Sequence, residues 1–158
     1  MMSRPKFDQP ASIPTHIDSG FLQTLVGYNA RRAALKILDV FADRMAVLDL
    51  NAVEFSVLCL IGRNPGLTPS QLCAELALLP PNLAKLLARL NKRNLVLRQA
   101  PATDKRAACL SLSPAGLKLL ADAEERVARL EIEASSALTA RQRETLITLL
   151  QKIYASPT

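Results

Sequence analysis

The stretch "LARLNKRNLVLRQAPATDKRAACLSLSPAG", Leu87–Gly116, changes its residue pattern twice. It begins on the tail of a Leu-rich helix. It then passes through "LVLRQA" and "ACLSLS", which alternate or cluster apolar and β-branched residues over strand-like lengths. It ends on Ser113-Pro114, a hydroxyl followed by the one residue that needs no N–H partner, which is how helices start. Between the two strand-like segments, Pro101 and Asp104 in "PATDKRA" supply turn chemistry. Helix, β-hairpin, helix is the predicted order, with the acid Asp104 beside Lys105 and Arg106 at the hairpin tip.

Upstream of this stretch, "TPSQLCAELAL" places Thr68 at an N-cap and Pro69 at the first helical position. The next helix is "PPNLAKLLARLNKRN", with Pro81 suited to its first position. Leu83, Leu86, Leu87 and Leu90 follow the i, i+3, i+4, i+7 rule and face inward, which leaves Asn82, Lys85, Arg89 and Lys92 outward. Helix, tight turn and a second helix with a basic face is the helix-turn-helix arrangement, and the hairpin behind it is a wing.

Further out the chain is helical. Pro5, Pro10 and Pro14 make residues 1–17 an extended arm. Asp18 or Ser19 caps a long helix running without proline through "GFLQTLVGYNARRAALKILDVFADRMAVLD". Asn51 caps "AVEFSVLCLIGRN", which Pro65-Gly66 ends. Ser113-Pro114 opens a helix from Ala115 to about Leu138, and Thr139-x-x-Gln142 is a capping box for the last, with Leu146, Leu149, Leu150 and Ile153 as its apolar stripe. The predicted fold is mainly α with a small β-hairpin wing. Its parts are an N-terminal arm (1–17), a dimerisation helix (18–50), a winged helix-turn-helix (51–113) and C-terminal dimerisation helices (114–158). The apolar stripes exceed what a winged helix of about 65 residues needs to cover, and the surplus predicts a homodimer.

Charge points to the partner. Of 20 Lys and Arg residues, seven lie between Pro80 and Arg106 against one of the 14 acids, so this segment alone carries the whole net charge of +6. A short basic segment on a nearly neutral body is the footprint of a nucleic-acid or anionic-surface binder. Other classes lack material. There is no Gly-rich phosphate loop, no recognisable carboxylate pair, and His16 is the sole histidine, so neither an enzyme nor a metal or cofactor site is expected. Cys59, Cys73 and Cys109 sit among apolar neighbours without Cys-x-x-Cys spacing and are expected to be buried free thiols. No secretory signal or apolar run of about 20 residues is present, which predicts a cytoplasmic protein with no membrane partner.

Residues Leu87–Gly116 and the element order around them resemble the MarR family of winged-helix transcriptional regulators over roughly residues 18–155. The family's wing signature, Asp-x-Arg followed by Leu-Thr-x-x-Gly, is matched by Asp104, Arg106 and Leu112-Ser113-Pro114-Ala115-Gly116, with Ser for Thr. Asn94 stands where the family commonly has Gly, and Asn tolerates the left-handed conformation. Pro80-Pro81 replaces the small hydroxyl residues that contact DNA in many relatives. Direct readout therefore moves to Asn82, Lys85 or Arg89.

The resemblance implies a ligand-responsive repressor that binds double-stranded DNA, an inverted-repeat operator, as a homodimer. The expected DNA-binding residues are Ser70, Gln71, Asn82, Lys85, Arg89, Lys105 and Arg106, with Asp104 orienting the wing and Arg63 a further phosphate contact at a helix end. Relatives bind small, often aromatic, acidic effectors between the dimerisation helices and the winged helix. Arg31 and Arg32 can meet such a carboxylate, or can form structural ion pairs with Asp39 or another helix's acids. A winged helix used only as a protein-interaction module is the alternative reading.

Overall fold

Four short polar side chains set where the helices begin. Asn51 Oδ1 accepts from Glu54 N (2.9 Å), Thr68 Oγ1 from Gln71 N (3.3 Å), Ser113 Oγ from Gly116 N (3.0 Å) and Thr139 Oγ1 from Gln142 N (3.3 Å). Each satisfies an amide that the first helical turn leaves without a partner. Three are full capping boxes, because Glu54, Gln71 and Gln142 reach back to the cap amide.

The structure is a computed structural model that describes residues 17–99 and 109–155. The expected N-terminal arm up to His16 and the hairpin tip, with Asp104, Lys105 and Arg106, lie outside the described residues. The helices are α1 (Gly20–Gln23), α2 (Val26–Met45), α3 (Ala52–Arg63), α4 (Pro69–Glu75), α5 (Pro80–Lys92), α6 (Pro114–Ala134) and α7 (Ala140–Tyr154). Strands β1 (Val96–Gln99) and β2 (Cys109–Leu112) pair antiparallel, Val96 opposite Leu112 and Gln99 opposite Cys109. Leu67 adds a bridge to Leu110 that extends the wing's root toward α3. This is a winged helix-turn-helix carried among longer helices. Among the described residues no single helix is long and apolar enough to cross a bilayer.

The chain forms two compact units, one through Ala33 and one from Ala34. In the first, the single long helix expected from Asp18 onward is broken. Thr24 Oγ1 bonds back to Phe21 O (2.8 Å), and Asn29 Nδ2 donates to Gln23 O (2.8 Å) and Leu25 O (2.7 Å). These side chains give the backbone an alternative to helical bonding, and α1 ends after one turn. Asp18 accepts from Gly20 N (2.8 Å), whereas Ser19 at the cap position receives Gln23 Nε2 instead of a backbone amide.

In the second unit Phe41, Met45, Val57, Leu58, Ile61, Leu72, Leu83, Leu87, Leu90, Val96, Leu110, Leu120 and Leu130 form one buried core. Two helices end in left-handed residues that are not glycine. Asn94 (φ 55°) lets Leu95 N bond Leu90 O (3.0 Å), and Ala77 (φ 49°) lets Leu78 N bond Cys73 O (3.0 Å). Both are six-to-one closures of a helix C-terminus. α6 stops at Ala134, four residues short of the expected Leu138, where Ser135 Oγ turns back onto Glu131 O (2.5 Å). The three cysteines are free and half-buried rather than fully buried.

Candidate nucleic-acid interface

The helix-turn-helix is α4, the turn through Ala77, and α5. Pro80, not Pro81, occupies the first position of α5, and the cap position, Leu79, has no side-chain acceptor to offer. The helix can start there because a proline brings no N–H to satisfy. Leu83, Leu87 and Leu90 are buried as the periodicity requires, and Leu86 is half-buried. Ser70 in the first turn of α4 and Asn82, Lys85 and Lys92 on α5 are exposed, as is Arg98 on β1. From Pro80 to Gln99 there is no acidic residue.

Three of the side chains expected at DNA have polar atoms engaged within the fold, Arg89 through both terminal nitrogens and Arg63 and Gln71 through one group each. Arg89 is not a free cation on the outward face: Nη2 donates to Asp49 Oδ1 (2.6 Å) and Asp49 O (3.2 Å), and Nη1 pairs with Glu54 Oε1. Hydrogen bonds to Asp49 and then Glu54 raise its pKa further above the ordinary arginine value. Arg63 pairs with Glu124 of α6. Gln71 Oε1 is held by Thr68 N (2.9 Å) and Thr68 Oγ1 (2.9 Å) in the capping box. The same reasoning that found Thr139-x-x-Gln142 finds Thr68-x-x-Gln71, so the role of Gln71 was open to the sequence. The partners of Arg89 were not.

Sequence reasoning also missed Asp49, Glu54 and Arg93. Arg93 donates to Asp49 O (2.6 Å) and Leu48 O (2.9 Å), with Asp49 Oδ2 at 3.8 Å. Two of the seven cations in the basic segment are thus neutralised by acids outside it, and the charge left exposed along α5 is Lys85 and Lys92.

Behind α5 lies a cleft of about 470 Å³ walled by Leu38, Phe41, Val53, Leu78 and Leu86, with Asn51 and Asn82 the only polar residues on it among the described residues. No cation among them lines it. Arg31 and Arg32 belong to the first unit, are exposed, and form no ion pair among the described residues, so the structural pairs expected for them are absent there. The Cys59 thiol, 3.9 Å from Glu124 Oε1, is pushed up to about 11 by burial and then by the Glu124 charge, which Arg63 only partly offsets. That leaves a protonated, weakly nucleophilic sulfur.

A family model described as MarR family matches residues 48–107. A putative transcriptional regulatory protein for the hcr operon of Thauera aromatica is 29% identical over 130 residues, 82% of this chain and 78% of that protein. The solved structure of the transcriptional repressor CouR bound to a 23-mer DNA duplex is similar with a TM-score of 0.84 at 32% identity, covering 89% of this chain and 99% of that one. CouR bound to p-coumaroyl-CoA gives a TM-score of 0.80 at 31% identity, covering 88% and 98%.

Proposed function

The chain belongs to the MarR family of winged-helix transcriptional regulators, and from that premise we propose that it is a repressor which grips an inverted-repeat operator as a homodimer and releases it when a small aromatic effector binds. The family's members are regulators, not enzymes. The observation that carries the proposal is the acid-free run Pro80–Gln99, whose helix shows Asn82, Lys85 and Lys92 to solvent while its leucines are buried. Lys85 and Lys92 suit phosphates, and Asn82 suits a base edge. Ser70 at the start of α4 and Arg98 at the wing's root add backbone contacts. Lys105 and Arg106, aimed by Asp104, take the minor groove beside the site, where narrow A·T-rich segments concentrate negative potential. Arg89 leaves the contact set because both of its terminal nitrogens are engaged by Asp49 and Glu54, whereas Arg63 and Gln71, exposed and with one polar group engaged each, stay as backbone contacts.

The dimer is supported by α7, which buries none of its residues among the described residues and leaves Leu146 (42%), Leu149 (52%) and Ile153 (61%) exposed. A two-fold dimer presents two recognition helices in opposite senses, which calls for an inverted repeat. For the effector, the apolar cleft, which no cation lines among the described residues, favours the aromatic part of a molecule whose charge stays outside. An aromatic acyl thioester, the class bound by CouR, has that layout; a bare aromatic acid would bring its carboxylate in beside two amides only.

The test is binding of the purified protein to a duplex carrying the inverted repeat upstream of its own gene, against a scrambled duplex, across a range of salt. Specific binding with a steep salt slope is expected, and Lys85→Ala should lower that slope by about 0.9 if it removes one phosphate contact. An interaction module would show neither. p-Coumaroyl-CoA should release the DNA where p-coumarate and coenzyme A separately do not.

A further inference from the structure

Arg89 on α5 and Arg93 at its C-cap sit one turn apart and close around the corner between α2 and α3. That corner is a 3₁₀ turn, Ala46–Leu48, followed by Asp49 in the left-handed region (φ 50°). It leaves the carbonyls of Leu48 and Asp49 past a helix end, where no helical N–H reaches them. The two guanidinium groups supply the missing donors and meet both acids there, Asp49 and Glu54. Glu54 is 1% exposed, and its second oxygen accepts from Asn51 N (3.0 Å), so the carboxylate is fully spent between the α3 cap and the recognition helix. A buried carboxylate held this way is strongly directional, because leaving it unpaired carries a full desolvation cost.

We infer that Asp49 and Glu54 are positioning residues for operator recognition, acting through Arg89 and Arg93 to fix the height and roll of α5. Asn82 and Lys85, one to two turns earlier on the same helix, inherit that placement. The inference rests on the DNA-binding reading above and extends it to residues that touch no DNA. The opposite role for the same cluster is that the acids hold Arg89 away from a phosphate. The two roles predict opposite signs when an acid is neutralised.

Glu54→Gln is the discriminating variant. Gln can keep the capping box, as Gln71 does at Thr68, while losing the charge that holds Arg89. Arg89→Lys keeps the cation but not the fork that spans two acids, and Arg89→Ala removes both. Each should weaken binding to the inverted-repeat duplex by about five- to thirty-fold, with little change for the scrambled duplex and an unchanged salt slope. A mis-seated helix loses base contacts while phosphates remain within reach. Amide hydrogen exchange over residues 89–95 should speed up in all three. Tighter operator binding by Glu54→Gln overturns the inference, as does full affinity in Arg89→Lys or a slope lowered by about 0.9 in Arg89→Ala, which would place Arg89 on a phosphate. Equal loss on both duplexes overturns it too, since that marks general destabilisation. Wild-type protein that prefers no duplex refutes the DNA-binding reading itself, and unchanged exchange over 89–95 refutes the clamp independently of DNA.

Discussion

Replacing Gly116 by Ala adds one methyl group at a point where two backbones touch. Gly116 is in the first turn of α6 with no positive φ, so its reason for being glycine is space. A Cβ there overlaps the Leu95 carbonyl oxygen and comes within 3.0 Å of the Leu95 carbonyl carbon, against about 3.5–4.0 Å for ordinary carbon contact. Neither partner is free to retreat. Ser113 N donates to that same Leu95 oxygen (3.0 Å), Ser113 Oγ donates to Asn94 O (2.5 Å), and Gly116 N donates to Ser113 Oγ (3.0 Å). Overpacking costs about 1–3 kcal/mol, and pulling α6 back weakens two of these bonds at about 1 kcal/mol each. A loss of about 3–5 kcal/mol is expected, which lowers the melting temperature by roughly 6–20 °C for a chain of this size. The assay is thermal unfolding followed by circular dichroism at one protein concentration, with Gly62→Ala as the control. At Gly62 a Cβ meets only the ends of the Leu120 (2.7 Å) and Leu112 (3.1 Å) side chains, which can rotate away, and Ala adds helix propensity of about 1 kcal/mol. A Gly116→Ala protein that melts with wild type, or a Gly62→Ala protein that suffers equally, would refute the reasoning.

Four further outcomes are expected. Ala77→Gly should raise the melting temperature, since a left-handed alanine costs about 1–2 kcal/mol that glycine does not; a lower melting temperature would contradict this. Leu146→Asp with Leu150→Asp should yield monomer without operator binding in sedimentation and gel-shift assays, given about 2–5 kcal/mol for each such side chain buried between protomers; a variant that sediments and binds as wild type would count against α7 as an interface. At pH 8 a thiol titrating near 11 is about a thousandth thiolate, so Cys59 should react with iodoacetamide at least about a hundredfold more slowly than a free thiol, and Glu124→Gln should speed it; fast labelling of wild type at pH 8 would disprove the shift. Asp104→Ala should weaken operator binding despite making the protein more positive, with Arg106→Ala nearly masking its effect in the double mutant. Tighter binding by Asp104→Ala would remove its proposed aiming role.

The sequence by itself determined the order of elements from α3 onward and most of their ends. Thr68-Pro69, Ser113-Pro114, Thr139-x-x-Gln142 and the left-handed Asn94 are signals confined to one helical turn, so the local chain carries all the information they need. It also determined the buried leucines of α5 and the two wing strands, because periodicity alone says which side chains share a face. What periodicity cannot say is what lies opposite that face. Lys85 and Arg89 occupy neighbouring positions one turn apart and read alike in sequence, yet Lys85 points to solvent and Arg89 to Asp49 and Glu54, 40 and 35 residues away. Arg63 meets Glu124 across 61 residues, and the apolar cleft gathers side chains from α2, α3, α5 and the turn before it. Only tertiary packing decided these, since a charge interacts with whatever the fold brings within a few ångströms, and that distance bears no relation to separation along the chain.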